Sequence, residues 1–350
     1  MEVTTPGRIC LFGEHQDYLG LPIIAMAISL RISIVGKKRN DKKVIIHKSD
    51  LNETETFLLS DLKYSKPRDY FKSGIKICKK NGLIFSNGFE CKIKSQIPIS
   101  AGTSSSSALN VSWIHFLTKI ADEQRDWDQQ KIGELAFDAE VTEFNEPGGM
   151  MDQYSTAIGN LIYLESEPSI SIKKLNPKLG TFILADSGES KNTFEILKRC
   201  RDSRQKLFKN LIINNPLINI KSCDENIDLS DLSDDEAQLY FGTIKNRELL
   251  KKALHELQKK IINERLIGEL LYEHHTVLRD DLKVSTPKIE KMIDAAMNAG
   301  ALGAKINGSG GGGCMFAYAP NKTENVLEAI NSVNGKAQII YSDEGSKFLN

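Results

Sequence analysis

At 350 residues the chain is longer than the usual single core of ~100–200 residues and shorter than three ordinary domains, so two domains are expected. Lysine plus arginine and aspartate plus glutamate each number 46, leaving no net charge to gather polyanions, so neither nucleic acid nor an anionic membrane is an expected partner. The six cysteines form no C-x-x-C pair and the longest apolar stretch, Leu21 to Leu30, is half the ~20 residues of a membrane span; with no signal-like segment at Met1–Pro6, a reduced, soluble, cytoplasmic protein is expected.

Taken in chain order, the runs Ile23–Val35 and Lys43–His47 are rich in isoleucine and valine and predict strands. A helix is predicted over Tyr70–Lys80, a strand over Phe89–Ile93, a loop over Gln96–Thr103 and a helix over Ala108–Ile120. Lys131–Glu143 predicts another helix, broken by Glu146-Pro147-Gly148-Gly149, with a further helix starting near Met150. Strands follow at Asn160–Glu165 and Thr181–Asp186. The acidic stretch Cys223–Ala237 reads as a surface connection, three helices fill Ala237–Ala299, and strands return at Cys314–Tyr318 and Ala337–Tyr341. The mixture predicts an α+β fold of two domains, residues 1–175 and 176–350.

Three loops carry chemistry. In Gln96–Ala108, small residues precede a helix, so open backbone amides and the positive helix end can meet a phosphate, although a serine run there can also serve only as a cap. No Walker A sequence is present. Glycine fills five of the six positions from 308 to 313; the formal G-x-G-x-x-G lacks the following helix of a dinucleotide site, and the glycines suggest close approach of backbone to a ligand. The third, Pro6–Tyr18, runs from a short apolar segment into Glu14, His15 and Asp17, a cluster able to hold hydroxyl groups or to be a solvated turn.

Together these segments resemble the GHMP kinase superfamily, most closely its galactokinase branch. Gly7-Arg8 with Gly13-Glu14-His15-x-Asp17-Tyr18 looks like the sugar signature, Pro98–Ala108 like the phosphate loop and Gly303–Gly313 like the third motif. Ala139-Glu140, Pro147-x-Gly149-x-Met151-Asp152-Gln153 and His275-x-x-Leu278-Arg279-Asp280-Asp281 point to the same branch.

The resemblance implies a two-domain fold with nucleotide and sugar sites in the cleft between the domains, and an ATP-dependent kinase that phosphorylates the anomeric C1 hydroxyl of a monosaccharide, galactose first. Arabinose, fucose, a heptose 7-phosphate or a hexuronic acid, or a sensor without turnover, are the alternatives. It implies Asp152 as base with Arg8 beside it, and Glu14, His15, Asp17 and Gly149 on the sugar. Ser100, Ala101, Gly102, Thr103, Ser104, Ser105, Ser106 and Ser107 would hold the ATP phosphates, and Ser106 and Glu140 would ligate Mg2+. His275 is expected to serve packing, and Phe194 and Asp186 lie where substrate contact is conceivable.

The chain departs from the galactokinase pattern at Cys10, Leu19, Leu21, Ser100, Thr103 and Asn307, and it begins directly at the first motif. None of these changes removes a proposed charge. The choice between monomer and homodimer stays open.

Overall fold

The computed structural model describes residues 1–99, 101–190, 193–223 and 229–349. The chain first lays down strands β1 (Glu2–Phe12), β2 (Ile23–Lys38), β3 (Lys43–Lys48) and β4 (Glu53–Leu58), then helix α1 (Tyr70–Lys80) and strand β5 (Phe89–Ser95). Helices α2 (Ser105–Ile120), α3 (Gln129–Phe137) and α4 (Met151–Ile158) follow, then β6 (Leu161–Glu165), β7 (Ser171–Leu175) and β8 (Phe182–Asp186). The remainder is α5 (Thr193–Asn214), α6 (Asp234–Leu257), α7 (Glu264–Thr276), α8 (Pro287–Asn298), β9 (Gly303–Ile306), β10 (Cys314–Tyr318), α9 (Thr323–Ser332), β11 (Lys336–Ile340) and β12 (Lys347–Leu349).

Two sheets organise these elements into an α+β fold. The first runs β12-β1-β2-β5-β3-β4, with β6 and β7 attached through β2; the second is the antiparallel β11-β8-β10-β9. β2 is long enough to serve two neighbours on one edge, pairing with β6 through Ile23–Met26 and with β5 through Ile32–Lys38. Its alternating isoleucines and small residues suit a strand covered on both faces near its start and on one face later.

Each sheet is closed by helices. α2 is the central one: twelve of its sixteen residues are buried, so it packs on all sides, and Trp113 and Phe116 join Phe71 and Phe89 in an aromatic cluster over the first sheet. Burying each such ring contributes about 2–3 kcal/mol. A second core joins β1 and β2 to the second sheet through Leu11, Phe12, Met26, Phe182, Leu184 and Phe316, with α6 and α7 supplying Leu250 and Leu271. The third lies on the other face of the second sheet, under α8 and α9.

Several elements differ from their sequence expectation. α2 begins at Ser105, so the last serines of the run are its first turn rather than a loop before it. The helix predicted over Lys131–Glu143 ends regular winding at Phe137 and continues as a π-helical turn, Asp138–Thr142. The 22-residue α5, β4, β7 and α9 had no prediction. Part of the acidic stretch, residues 224–228, lies outside the described residues, and Ser233 caps α6 through a reciprocal pair with Glu236. All six cysteines are buried free thiols, and among the described residues no helix is long and apolar enough to cross a membrane.

The chain's last strand returns to its first: Glu2, Val3 and Thr4 pair with Leu349, Phe348 and Lys347. Arg31 on β2 fastens this return. Its guanidinium donates to Thr4 Oγ1 and Thr4 O, to Asp343 Oδ2 at 2.8 Å, and to the carbonyls of Glu344 and Gly345. Deeper in, Ser346 accepts from Thr5 and meets His115 Nδ1 at 2.7 Å. Arg31→Ala should therefore lower stability by about 1–3 kcal/mol, the range for losing a partly buried network with a charged donor. Urea unfolding would show this as a lower midpoint at an unchanged slope; an unaltered midpoint would contradict the role given to Arg31.

Candidate active site

A cavity of about 480 Å3 opens between the 13–18 loop, the serine loop, the 146–152 segment and the glycine-rich turn. This is the size of small-molecule pockets in general. Arg8, Glu14, His15, Asp17, Ala101, Gly102, Ser104 to Ser107, Glu140, Gly149 and Asp152 all line it, although they come from regions as far apart as β1 and α4. Thr103 is fully buried behind the loop, its hydroxyl donating to Pro98 O at 3.4 Å, and Ser100 lies outside the described residues. Phe194 and Leu197 of α5 close one wall. Asp186, on β8, does not line the cavity.

Asp152 stands in the first turn of α4, where the helix end favours an anion. Arg8 reaches it from β1: Nε donates to Oδ1 at 2.8 Å and Nη2 lies 2.7 Å from the same oxygen. The third donor, Nη1, goes to Gly102 O at 2.5 Å. Burial works against the charge on Arg8, but Asp152 and Glu14 outweigh it and its pKa is raised. The guanidinium thus joins the carboxylate to the serine loop.

The serine loop is held from behind. Arg8 N donates to Thr103 O at 3.2 Å, and Cys314 N donates to Ala101 O at 2.7 Å. Asn307 adds a two-way bridge, accepting from Cys10 N at 2.9 Å and donating to Gly102 O at 2.8 Å. The glycines are required by closeness as well as conformation: Gly308 and Gly313 have positive φ, and a Cβ on either would lie 2.7 Å from a carbonyl oxygen of Gly102 or Ala101. Ser104, at φ 60, turns the chain into α2, so the early N–H groups of that helix face the cavity.

Glu140 lies in the π-helical turn, a local irregularity that often marks functional positions. Its Oε2 accepts from Gln153 Nε2 at 2.7 Å, and Ser106 and Ser107 face it. Burial raises its carboxyl pKa to about 6 against those hydrogen bonds. Gln153 Oε1, beside it, is buried without a hydrogen-bond partner. A carboxylate, hydroxyls and an unsatisfied amide oxygen form an all-oxygen donor set suited to a hard divalent cation. No trio of His, Cys, Asp or Glu able to cage a metal exists among the described residues.

The other end of the cavity is acidic. Asp17 Oδ1 accepts from Tyr18 N at 3.0 Å and Oδ2 from Met151 N at 3.3 Å. Gly149 presses on it so closely that a Cβ there would lie 1.9 Å from Oδ2. Burial, with the Asp152 charge second, raises the Asp17 carboxyl to about 6. Glu14 is buried, and its Oε2 is paired at 2.9 Å with the equally buried Lys305, which also donates to Cys10 O. His15 has both ring nitrogens engaged, Nδ1 with the Tyr18 hydroxyl and Nε2 with Ser309 O. In this arrangement the His15 ring braces the loop, and His15 also lines the cavity.

Lys305, Asn307, Ser309, Gln153 and Arg204 were not found as site residues in the sequence. Lys305 left a signal, since a lysine inside the apolar strand Gly303–Ile306 must find a buried anion. His275 is fully buried on α7, with Glu290 at 3.0 Å and Ile306 N at 3.4 Å, and takes no part in the cavity.

Because the fold raises the Asp17 pKa, the stability tied to its protonated form is complete below the ordinary carboxyl value near 4 and is lost as pH rises through about 6. Asp17→Asn should come close to the parent at pH 4 and exceed it by about 2–3 kcal/mol at pH 8. Urea midpoints at the two pH values measure the gap; a gap that does not change with pH would show that Asp17 titrates normally.

Comparison with known proteins places these features in one family. Residues 2–38 match the galactokinase galactose-binding signature, residues 69–160 the GHMP kinases N terminal domain and residues 246–336 the GHMP kinases C terminal model. A mevalonate kinase of Thermococcus gammatolerans is 29% identical over 96% of this chain and 94% of its own length. A galactokinase of Clostridium perfringens is 28% identical over 94% of this chain and 87% of its own length. Among solved structures, Lactococcus lactis galactokinase complexed with galactose superposes with a TM-score of 0.86 at 21% identity, covering 99% of this chain and 95% of that one. Methanococcus jannaschii mevalonate kinase gives 0.75 at 21% identity, with 98% of each chain covered. At these identities the structural likeness speaks for the fold.

Proposed function

The chain belongs to the GHMP kinase superfamily, and we propose that it transfers the γ-phosphoryl group of ATP to the anomeric C1 hydroxyl of a monosaccharide, with galactose the first candidate. The observation that carries this reading is the acidic acceptor end of the cavity. Asp152, Asp17 and Glu14 gather there, while Arg8 and Lys305 are already paired with Asp152 and Glu14. Carboxylates accept hydrogen bonds from a neutral polyol. An anionic acceptor would bring another negative charge beside Asp17, whose raised pKa already registers the neighbouring Asp152 charge.

In this reading Asp152 orients the C1 hydroxyl and takes its proton as the oxygen bonds to phosphorus. Arg8 stabilises the charge that develops between donor and acceptor, and its fixed link to Gly102 O keeps the serine loop in register with the acceptor. The backbone amides at Ser104–Ser107 hold phosphate oxygens at the start of α2. Glu140, Ser106 and Gln153 would hold the Mg2+ that accompanies the nucleotide, which supplies charge neutralisation at the phosphates. Gly149 leaves the Asp17 carboxylate room at the cavity wall.

Mevalonate is the second reading, favoured by the mevalonate kinases that match the chain nearly end to end. Its carboxylate makes the two acceptors separable by charge. Purified protein with Mg-ATP should release ADP with galactose or another neutral sugar and yield the 1-phosphate, with little turnover of mevalonate, galacturonate or a heptose 7-phosphate. Preferred turnover of mevalonate would replace the sugar reading; silence with every acceptor would favour a sensor. Asp152→Asn should keep fold and nucleotide binding while lowering kcat roughly 10²–10⁴-fold, and near-normal turnover would remove Asp152 from its role.

A further inference from the structure

Arg204 sits near the middle of α5 and is 0% exposed. Complete burial is rare for arginine and requires partners. Nε donates to Cys200 O at 3.0 Å, one turn back, which fixes the stem. Nη2 donates to the backbone carbonyl of His15 and to the Tyr18 hydroxyl, and the guanidinium carbon lies 5.4 Å from the centre of the Tyr18 ring. The neighbouring Gln205 donates to Tyr18 O at 3.1 Å.

The chain of contacts continues beyond Tyr18. Its hydroxyl is 3.0 Å from His15 Nδ1, and His15 Nε2 is 3.1 Å from Ser309 O. A carbonyl only accepts, so the His15 proton is assigned to Nε2; Tyr18 then donates to Nδ1 and accepts from Arg204. The donors and acceptors form one directed series from α5 through the acceptor loop to the glycine-rich turn.

That loop needs such support. His15 holds φ 61, a left-handed conformation costly for a residue with a Cβ. Asp17 lies between the two residues that Arg204 grips, and one of its carboxylate oxygens is set by Tyr18 N. Stability alone does not explain an arginine here, because Nη1 is buried without a hydrogen-bond partner, and an apolar side chain of similar volume would leave no such group.

We infer that Arg204 is a positioning residue of the acceptor site: through Tyr18 and His15 it sets the 13–18 loop, and with it the Asp17 carboxylate, against the turn that backs the serine loop. The inference rests on the reading of this end of the cavity as the acceptor's. Arg204→Met keeps most of the buried volume and removes every donor. It should raise the acceptor KM about tenfold, the equivalent of one charge-assisted hydrogen bond, while the ATP KM stays within about twofold. Tyr18→Phe should act in the same direction, and the double variant should fall short of the product of the two, as residues in one network do. Arg204→Lys should recover part of the loss.

Hydrogen exchange of the full chain supplies a readout that does not need turnover. Arg204→Met should speed exchange in residues 13–19 and 308–313 and leave α1 unchanged; if it does not fold, Tyr18→Phe carries the same expectation. Unchanged exchange in those two segments would overturn the inference. So would a variant that loses stability but keeps the parent's acceptor KM. If the parent phosphorylates no acceptor, the kinase reading fails separately, and exchange alone decides the place of Arg204.

Discussion

Two side chains from opposite ends of the chain donate to one carbonyl oxygen, that of Gly102. Arg8 reaches it from β1 and Asn307 from the end of β9, and the same Arg8 holds Asp152 while the same Asn307 holds Cys10 N. Much of the site follows from this junction. The loop that faces phosphate can shift only if the carboxylate that faces the acceptor, or the turn behind it, shifts too. Reacting groups must be placed to within fractions of an ångström, and a shared oxygen is an economical way to hold several in register.

The buried charges obey one logic. Lys305 and Glu14 are almost fully buried and neutralise each other, a pairing whose loss on one side would strand a charge in the core. Arg8 lies equally deep, and Asp152, partly open to the cavity, gives it a partner facing the chemistry. Asp17 and Glu140 have no such cation and respond by taking on raised pKa values near 6. The cavity therefore contains carboxylates of two kinds: Asp152 and Glu14, held against cations, and Asp17 and Glu140, whose pKa values burial raises.

The loops were legible in the sequence because their chemistry is local. Gly13-Glu14-His15, the serine run and the five glycines are each contiguous, and together they resemble one superfamily whose models match the chain. What the sequence could not disclose is mostly long-range. Arg8 and Asp152 are separated by 144 residues, and only the resemblance joined them. α5 escaped notice because charged residues interrupt its apolar positions and its packing is shared between the cavity, Tyr18 and α6. The π-helical turn at Glu140 has no sequence signature, and Asn307, a departure from the family pattern, proved to be a bridge. His15 reads as a sugar contact because its chemistry permits it; what the sequence could not disclose is that its ring nitrogens also meet Tyr18 and Ser309.

The return of the last strand to the first has a bearing on how the protein is made. β1 leaves the ribosome more than 300 residues ahead of residues 347–349, with which one of its edges pairs. At synthesis rates of about 5–20 residues per second, that edge waits roughly 20–70 s for its partner. During this interval its unpaired N–H and C=O groups form a template on which a neighbouring nascent chain can pair. The short β12 thus closes the sheet later than β1 and β2 are made, and Arg31, already present on β2, is the clasp that receives it.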